Sequence, residues 1–144
     1  HANCTWIMGY PGETLDDLKA TVAFIKWQEE VLMERYLKNS RSWNLASEAI
    51  NKNMFVATAY PGTEMFNDPQ VREALSDGFG IKYHNGKPIC DSSLEKYVEQ
   101  LNDATDLIRT LDGSLLQYSE MADSLFLEIR DILTDGNIFD ILDL

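Results

Sequence analysis

Cysteine and histidine are scarce in this sequence, and their scarcity excludes several kinds of site. The 144 residues include two cysteines, Cys4 and Cys90, and two histidines, His1 and His84. Neither cysteine lies in a Cys-x-x-Cys arrangement, so no metal-ligand cluster and no disulfide framework are indicated. We therefore predict no metal-binding residues. Because sparse free thiols are typical of a reducing compartment, we expect a cytoplasmic protein.

Positive charge and long apolar runs are also lacking. The sequence has twelve Lys and Arg residues and twenty-four Asp and Glu residues, which gives a net charge of −12 and an isoelectric point near 4.4. Such a surface repels a nucleic-acid backbone and an anionic membrane. No apolar run reaches the roughly 18–20 residues that a membrane-spanning helix needs. We expect neither nucleic acid nor a membrane as a partner.

The rest of the composition is typical of a globular protein, but the net charge is unevenly distributed along the chain. Hydrophobic residues make up 44% and charged residues 25%, as in folded domains. Residues 1–72 carry a net charge of −2 and residues 73–144 a net charge of −10. We divide the chain into βα units at 1–78 and an acidic, mostly helical extension at 79–144. The extension is interpreted as a solvated helical surface, with a dedicated acidic docking surface as the alternative.

Two strand-to-helix units are predicted in the first half. A β-favouring run at residues 4–8 is followed by Gly and Pro, and Thr14 then caps a helix predicted over 15–28. Apolar residues at 31–37 suggest that this helix continues or that a second helix follows it. A break at 39–42 and a short helix at 43–50 precede a second strand at 53–59. Asp68 followed by Pro69 predicts the start of the next helix.

The second half is predicted to be mainly helical. The Asn85-Gly86 pair predicts a hairpin turn within residues 81–90. Apolar residues at helical spacing then predict one long helix from residue 92 that Gly113 ends, a helix after Ser119, and a short terminal helix from Ile138.

An internal repeat is the strongest indication of the fold in this sequence. The tripeptide Tyr-Pro-Gly follows both predicted strands, at residues 10–12 and 60–62, and each copy precedes a helical pattern. Successive βα units favour a parallel sheet, because parallel neighbours need a long crossover connection. The predicted fold is therefore α/β, an arc of a (β/α) barrel of two βα units followed by the helical extension, with ligands expected at the loops after the strands.

The loop residues have limited chemistry. Gly9 and Gly12 let the backbone adopt positive φ or approach a ligand closely, and Pro11 stiffens the loop. Glu13 offers a carboxylate to a ligand amine or hydroxyl, or to the neighbouring loop. The alternative is ordinary turn chemistry, since Pro-Gly is a common turn signal.

The two repeats resemble a known family. Residues 7–14, Ile-Met-Gly-Tyr-Pro-Gly-Glu-Thr, resemble a late strand and loop of the radical S-adenosylmethionine enzymes. Residues 57–66, Ala-Thr-Ala-Tyr-Pro-Gly-Thr-Glu-Met-Phe, resemble the next strand end, in the form usual in the cobalamin-binding and methylthiotransferase-like branches. The resemblance spans residues 4–66, with both runs in the family's order.

The resemblance implies an iron–sulfur enzyme that reductively cleaves S-adenosylmethionine. It implies that the first strand lies along the adenosine part of this cofactor, with Ile7 near the adenine and Gly9 giving it room. The next strand end would lie near the adenine or the substrate. The cofactor-binding residues so implied are Ile7, Gly9, Tyr10, Pro11, Gly12, Glu13, Ala57, Ala59, Tyr60 and Pro61. No catalytic residue is predicted.

The chain departs from the family pattern in two places. It lacks the Cys-x-x-x-Cys-x-x-Cys motif that holds the 4Fe–4S cluster, and the usual Gly-x-Ile-x-Gly-x-x-Glu spacing meets Thr5 and Gly12 where Gly and Glu would stand. We expect the C-terminal part of a longer protein whose N-terminal part carries the cluster and, in the cobalamin-dependent branch, cobalamin. Alone, the chain is expected to hold no cofactor and to be inactive, and open strand edges predict a homo-oligomer.

Two other interpretations stay open. One is a stand-alone acidic, helical protein-interaction module without catalysis, in which both Tyr-Pro-Gly runs are simple turns. The other is a hydrolase that uses Glu13, Glu64 or Asp68 with His84, which no motif supports.

Overall fold

A short strand and a long helix open the described part of the chain, and the structure as a whole is mixed α/β. The computed structural model describes residues 4–38, 49–103 and 107–144. The strands are β1 (Trp6–Met8), β2 (Met54–Val56), β3 (Tyr83–His84), β4 (Lys87–Pro88), β5 (Ile108–Arg109) and β6 (Leu115–Leu116). The helices are α1 (Leu15–Lys38), α2 (Pro69–Phe79), α3 (Ser92–Asp103) and α4 (Asp123–Thr134), with 3-10 helices at Met65–Asn67 and Ile138–Asp143.

The strands of the described residues pair as three two-stranded sheets: β1 with β2, β3 with β4, and β5 with β6. The chain folds into two compact units, each made of separate stretches. Unit one comprises His1–Met8, Thr14–Phe55 and Met121–Leu144, and unit two comprises Gly9–Glu13 and Val56–Glu120. The division at residue 78 stays a prediction. Within the described residues, no helix is long and apolar enough to cross a membrane.

Helix α1 of unit one begins where the sequence predicts. The Thr14 backbone N–H donates to Asp17 Oδ2 at 2.9 Å, and the Asp17 N–H donates to Thr14 Oγ1 at 3.3 Å, so the two side chains cap the first turn reciprocally. The helix runs to Lys38, beyond the predicted end at residue 28, because the sequence has neither Gly nor Pro between residues 13 and 60 to stop it. The predicted break and short helix at 39–50 fall mostly outside the described residues.

The C-terminal segment completes unit one. The terminal 3-10 helix packs against α1 and buries Ile138 and Ile141. Lys52 Nζ pairs with Glu29 Oε2 at 3.0 Å and also lies 5.3 Å from the centre of the Phe139 ring. These contacts hold the end of the chain on the same helix that follows β1.

The elements of unit two include two that the sequence predicts closely. Asp68 caps α2 by accepting a hydrogen bond from the Gln70 N–H at 2.8 Å. The β3–β4 hairpin turns at Asn85 and Gly86, both with positive φ, as a two-residue turn of this kind requires. The core of the unit comprises Ala59, Phe66, Val71, Leu75, Phe79, Ile81, Tyr97, Ile108, Leu116 and Tyr118.

The predicted helix from residue 92 to Gly113 is wrong in its second half. Within the described residues helix α3 covers Ser92–Asp103, and the antiparallel β5–β6 hairpin occupies residues 108–116. Asp112 accepts hydrogen bonds from the Thr110 hydroxyl at 2.5 Å and from the Ser114 N–H at 2.9 Å, and Gly113 has a φ of 88°. The Asp-Gly pair therefore turns a hairpin here instead of ending a helix.

This hairpin lies very close to helix α2. The Leu111 N–H donates to the Gly78 carbonyl at 3.0 Å. A Cβ atom at Gly78 would lie 2.6 Å from Thr110 Cγ2. The absence of a side chain at position 78 is thus what allows the hairpin and the helix to approach so closely.

Candidate ligand-binding turns

The first Tyr-Pro-Gly run forms a tight turn, Tyr10–Glu13, which we call the first turn. The Glu13 N–H donates to the Tyr10 carbonyl at 3.0 Å, and Gly12 has a φ of 77°. Proline in the second position and glycine with positive φ in the third are the features of a type II turn. The structure thus gives the repeat a definite backbone geometry.

The second run, Tyr60–Thr63, forms the same turn, which we call the second turn. The Thr63 N–H donates to the Tyr60 carbonyl at 3.1 Å, and Gly62 has a φ of 92°. Both turns belong to unit two. The ordinary turn interpretation therefore accounts for the Pro-Gly pair in each repeat, and any ligand role is additional to it.

The two turn glycines are needed for their backbone angles and not to make room for a neighbour. A Cβ atom at Gly62 would meet no atom of the described residues within 4 Å. At Gly12 the nearest such atom is Gln70 Oε1, at an ordinary 3.8 Å. Of the two turns, only the second therefore has open space beside its glycine.

The carboxylate of Glu13 forms a hydrogen bond across its own loop, to the backbone of Gly9. The Gly9 N–H donates to Glu13 Oε2 at 2.5 Å, and Gly9 has a φ of 86°. The Glu120 N–H donates to the Glu13 carbonyl at 2.9 Å. This hydrogen bond lies within the loop that carries Glu13, whereas the sequence offered the carboxylate to a ligand or to the neighbouring loop. Those two roles stay predictions.

The remaining predicted site residues differ in accessibility. Tyr10 is 45% exposed and Tyr60 54%, whereas Ala57 and Ala59 are buried. Ile7 lies in β1, in unit one, and is exposed. The turns therefore offer two aromatic rings at their surface, and the two alanines are buried.

Two tyrosines that the sequence did not single out hold the second turn from behind. The buried Tyr97 hydroxyl donates to the Ala59 carbonyl at 2.6 Å and lies 3.4 Å from the Tyr118 hydroxyl. Burial raises the pKa of Tyr97 well above its usual range and also raises the pKa of Tyr118, so both hydroxyls stay protonated. Their only sequence signal is an apolar helical position for Tyr97, which does not distinguish it from packing.

Tyr118 also reaches the first turn. Its carbonyl accepts a hydrogen bond from the Gly12 N–H at 3.3 Å. Residues 97, 118 and 120 of the predicted extension thus support both turns, and the acidic half contributes directly to the candidate site.

The arrangement suits binding better than acid–base or metal chemistry. The turns present phenol rings at the surface, the N–H groups of Gly12, Glu13 and Thr63 already donate to backbone carbonyls, and the Glu13 carboxylate already accepts a backbone hydrogen bond. Among the described residues, no three His, Cys, Asp or Glu side chains form a group that could hold a metal ion. Asp68, a candidate for hydrolysis, serves as the cap of α2.

Comparison with known proteins adds no relative. No protein-family model matches this chain, and neither a curated protein nor a solved structure matches it.

Proposed function

We propose that this chain is the C-terminal part of a radical S-adenosylmethionine enzyme, to which it contributes two βα units of a partial (β/α) barrel. The observation that carries the proposal is the repeated turn. Strands β1 and β2 are hydrogen-bonded neighbours, and each leads into a type II Tyr-Pro-Gly turn. In (β/α) barrels the loops after the strands form the ligand-binding face.

The role proposed for the turns is to bind and orient S-adenosylmethionine. The exposed rings of Tyr10 and Tyr60 offer apolar faces to a purine, and the open space at Gly62 allows close approach. Pro11 and Pro61 fix the turns before a ligand arrives, which lowers the entropy lost on binding.

The cluster of such an enzyme does not fit the residues of this chain. A 4Fe–4S cluster in this family needs three closely spaced cysteines, and the chain has Cys4 in unit one and Cys90 in unit two. The proposal therefore assigns cluster binding, and with it the cleavage chemistry, to a part of the protein upstream of these residues. Alone, the 144 residues are expected to be inactive.

The test uses the longer protein that the proposal requires the same gene to encode. Expressed without oxygen and with iron and sulfide, it should be brown and should form 5′-deoxyadenosine from S-adenosylmethionine. In that protein Gly62→Ala should raise the KM for S-adenosylmethionine, because a Cβ atom strains the second turn.

A matched control separates this effect from lost stability. Gly113 has a φ of 88°, close to the 92° of Gly62, and a Cβ atom at either position meets no atom of the described residues within 4 Å. Gly113→Ala should therefore cost similar stability and leave the KM unchanged. A colourless, inert product, or a longer reading frame without the three cysteines, would contradict the proposal and favour the acidic interaction module.

A further inference from the structure

Arg72 of helix α2 is held in place by uncharged groups. Its Nη2 donates to Asn67 Oδ1 at 3.2 Å and to the Gly86 carbonyl of the β3–β4 hairpin at 2.8 Å. Its guanidinium carbon lies 5.2 Å from the centre of the Tyr83 ring. Because none of these partners is a carboxylate, the guanidinium has a fixed position while its positive charge stays uncompensated.

A carboxylate lies near Arg72 in the sequence and is not its partner. Asp68 is four positions earlier, which is the spacing of the Asp–Arg pairs that stabilise helices. Asp68 instead caps α2 by accepting from the Gln70 N–H at 2.8 Å. The fold thus directs the guanidinium to the neutral oxygens beside the hairpin and leaves its charge available to another anion.

The guanidinium also has donors without acceptors. Its Nε is buried and unpartnered, and the other such side-chain atom of the described residues is the hydroxyl oxygen of Tyr83, on whose ring Arg72 packs. Nη1 likewise donates to no described residue, and it reaches the surface, since it is not among the buried unpartnered atoms. Unpartnered polar groups of this kind are rare and are typical of places where an ion or a water binds.

The chain beside Arg72 is free of negative charge. Residues 78–90, which include the β3–β4 hairpin, contain neither Asp nor Glu, although residues 73–144 together carry a net charge of −10. Lys82, His84 and Lys87 lie in this stretch and are exposed. An anion that the acidic half repels elsewhere therefore meets a locally positive surface at this hairpin.

We propose that Arg72 is the anion-binding residue of a site for the phosphate or carboxylate group of a small ligand. Nη1 supplies charge-assisted hydrogen bonds to the ligand oxygens, and Asn67, Tyr83 and Gly86 hold the guanidinium in position beforehand. A Cβ atom at Gly86 would lie 3.9 Å from Nη1, so a side chain at this position would pack over the donor. All of these residues belong to unit two, and the site does not depend on the function proposed above.

An NMR titration of the 144-residue chain with phosphate, acetate and chloride at one ionic strength tests the site. Phosphate or acetate should shift the Arg72 Nε–H and Gly86 amide resonances along a saturable curve in the millimolar range, and chloride should not. Saturation by phosphate alone assigns a phosphate group, and saturation by acetate alone assigns a carboxylate. If neither anion shifts these resonances more than chloride does, the proposal is wrong.

Two variants separate the charge of Arg72 from its structural role. Asn67→Asp gives the guanidinium a carboxylate in place of an amide oxygen, so Arg72 keeps its position and loses its free charge. The Kd of the saturating anion should rise about tenfold. Asn102→Asp is the matched control, because its exposed side chain on helix α3 adds the same charge and does not hydrogen-bond to Arg72. Equal Kd values for the two variants would overturn the proposal.

Discussion

The first and second turns share one backbone geometry and are held by different chemistry. In the first turn the anchors are a carboxylate and main-chain groups: Glu13 Oε2 accepts from the Gly9 N–H, and the Tyr118 carbonyl accepts from the Gly12 N–H. In the second turn the anchors are hydroxyls. Thr63 Oγ1 donates to the Tyr60 carbonyl at 2.7 Å, and the Tyr97 hydroxyl donates to the Ala59 carbonyl at 2.6 Å.

The difference shows that the tripeptide and its surroundings have separate roles. Proline and glycine set the path of the backbone in both turns. Rigidity comes from the neighbours, which are charged in one turn and neutral in the other. The two turns should therefore respond differently when their anchors are changed. Three substitutions test this difference, and a fourth tests a third turn.

The largest effect is expected from Tyr97→Phe at the second turn. It leaves the buried Ala59 carbonyl without its 2.6 Å donor, and the free energy of unfolding should fall by about 1–3 kcal/mol in urea denaturation. Tyr83→Phe is the control, because the buried Tyr83 hydroxyl has no hydrogen-bond partner among the described residues. Its removal should be neutral or slightly stabilising. Equal losses for the two variants would show that the Tyr97 hydroxyl does not anchor the turn.

At the first turn, Glu13→Ala should cost about 1–2 kcal/mol of unfolding free energy, because the buried Gly9 N–H loses a charged acceptor. Glu13→Gln keeps an acceptor oxygen and should recover most of the loss. Hydrogen exchange at the Gly9 amide locates the effect. An unchanged exchange rate in Glu13→Ala would show that the carboxylate does not hold the loop.

A smaller effect is expected from Thr63→Val at the second turn. The hydroxyl lies at the surface, so water replaces it at the Tyr60 carbonyl, and the cost should be about 0.5–1 kcal/mol. Thr63→Ser keeps the hydroxyl and should retain more of the stability than Thr63→Val does. A loss in Thr63→Val as large as that in Glu13→Ala would show that water does not replace the Thr63 hydroxyl at the Tyr60 carbonyl.

The smallest effect is expected at a third turn, which lies in the β5–β6 hairpin and is held by the carboxylate of Asp112. Hydrogen bonds from the Thr110 hydroxyl and from Ser114 lower the pKa of Asp112 from 3.8 to about 2. Because the folded state favours the ionised form, this contribution is complete above about pH 4 and is lost as the pH falls toward 2. Asp112→Asn should therefore weaken the fall in stability between these values, measured as urea midpoints at pH 5 and pH 2.5. Identical midpoint shifts in the two proteins would contradict this role.

The elements that were predicted correctly have local causes. The Asp68 cap and the Asn85-Gly86 hairpin depend on one or two residues whose preferred backbone angles appear in any context. The type II turns belong to the same class. By contrast, the apolar spacing of residues 107–111 fits a helix as well as a strand, and only the burial of Ile108, Leu115 and Leu116 in the core decides for the hairpin.

The supports of the candidate site were not predicted because they join distant parts of the chain. Tyr97 and Ala59 are 38 positions apart, and no local pattern relates them. Tyr118 holds one turn through its carbonyl, which any residue type provides. The sequence thus indicates where the turns lie and leaves their anchors to the tertiary fold.

The close approach of helix α2 and the β5–β6 hairpin constrains how related sequences can diverge. In most helices Gly→Ala is stabilising, but here the added methyl would collide with Thr110 Cγ2. Chains with alanine at position 78 should therefore have serine or another smaller residue at position 110. Across an alignment of relatives, these two positions should vary together, and their covariation would trace this contact in proteins whose structures are unknown.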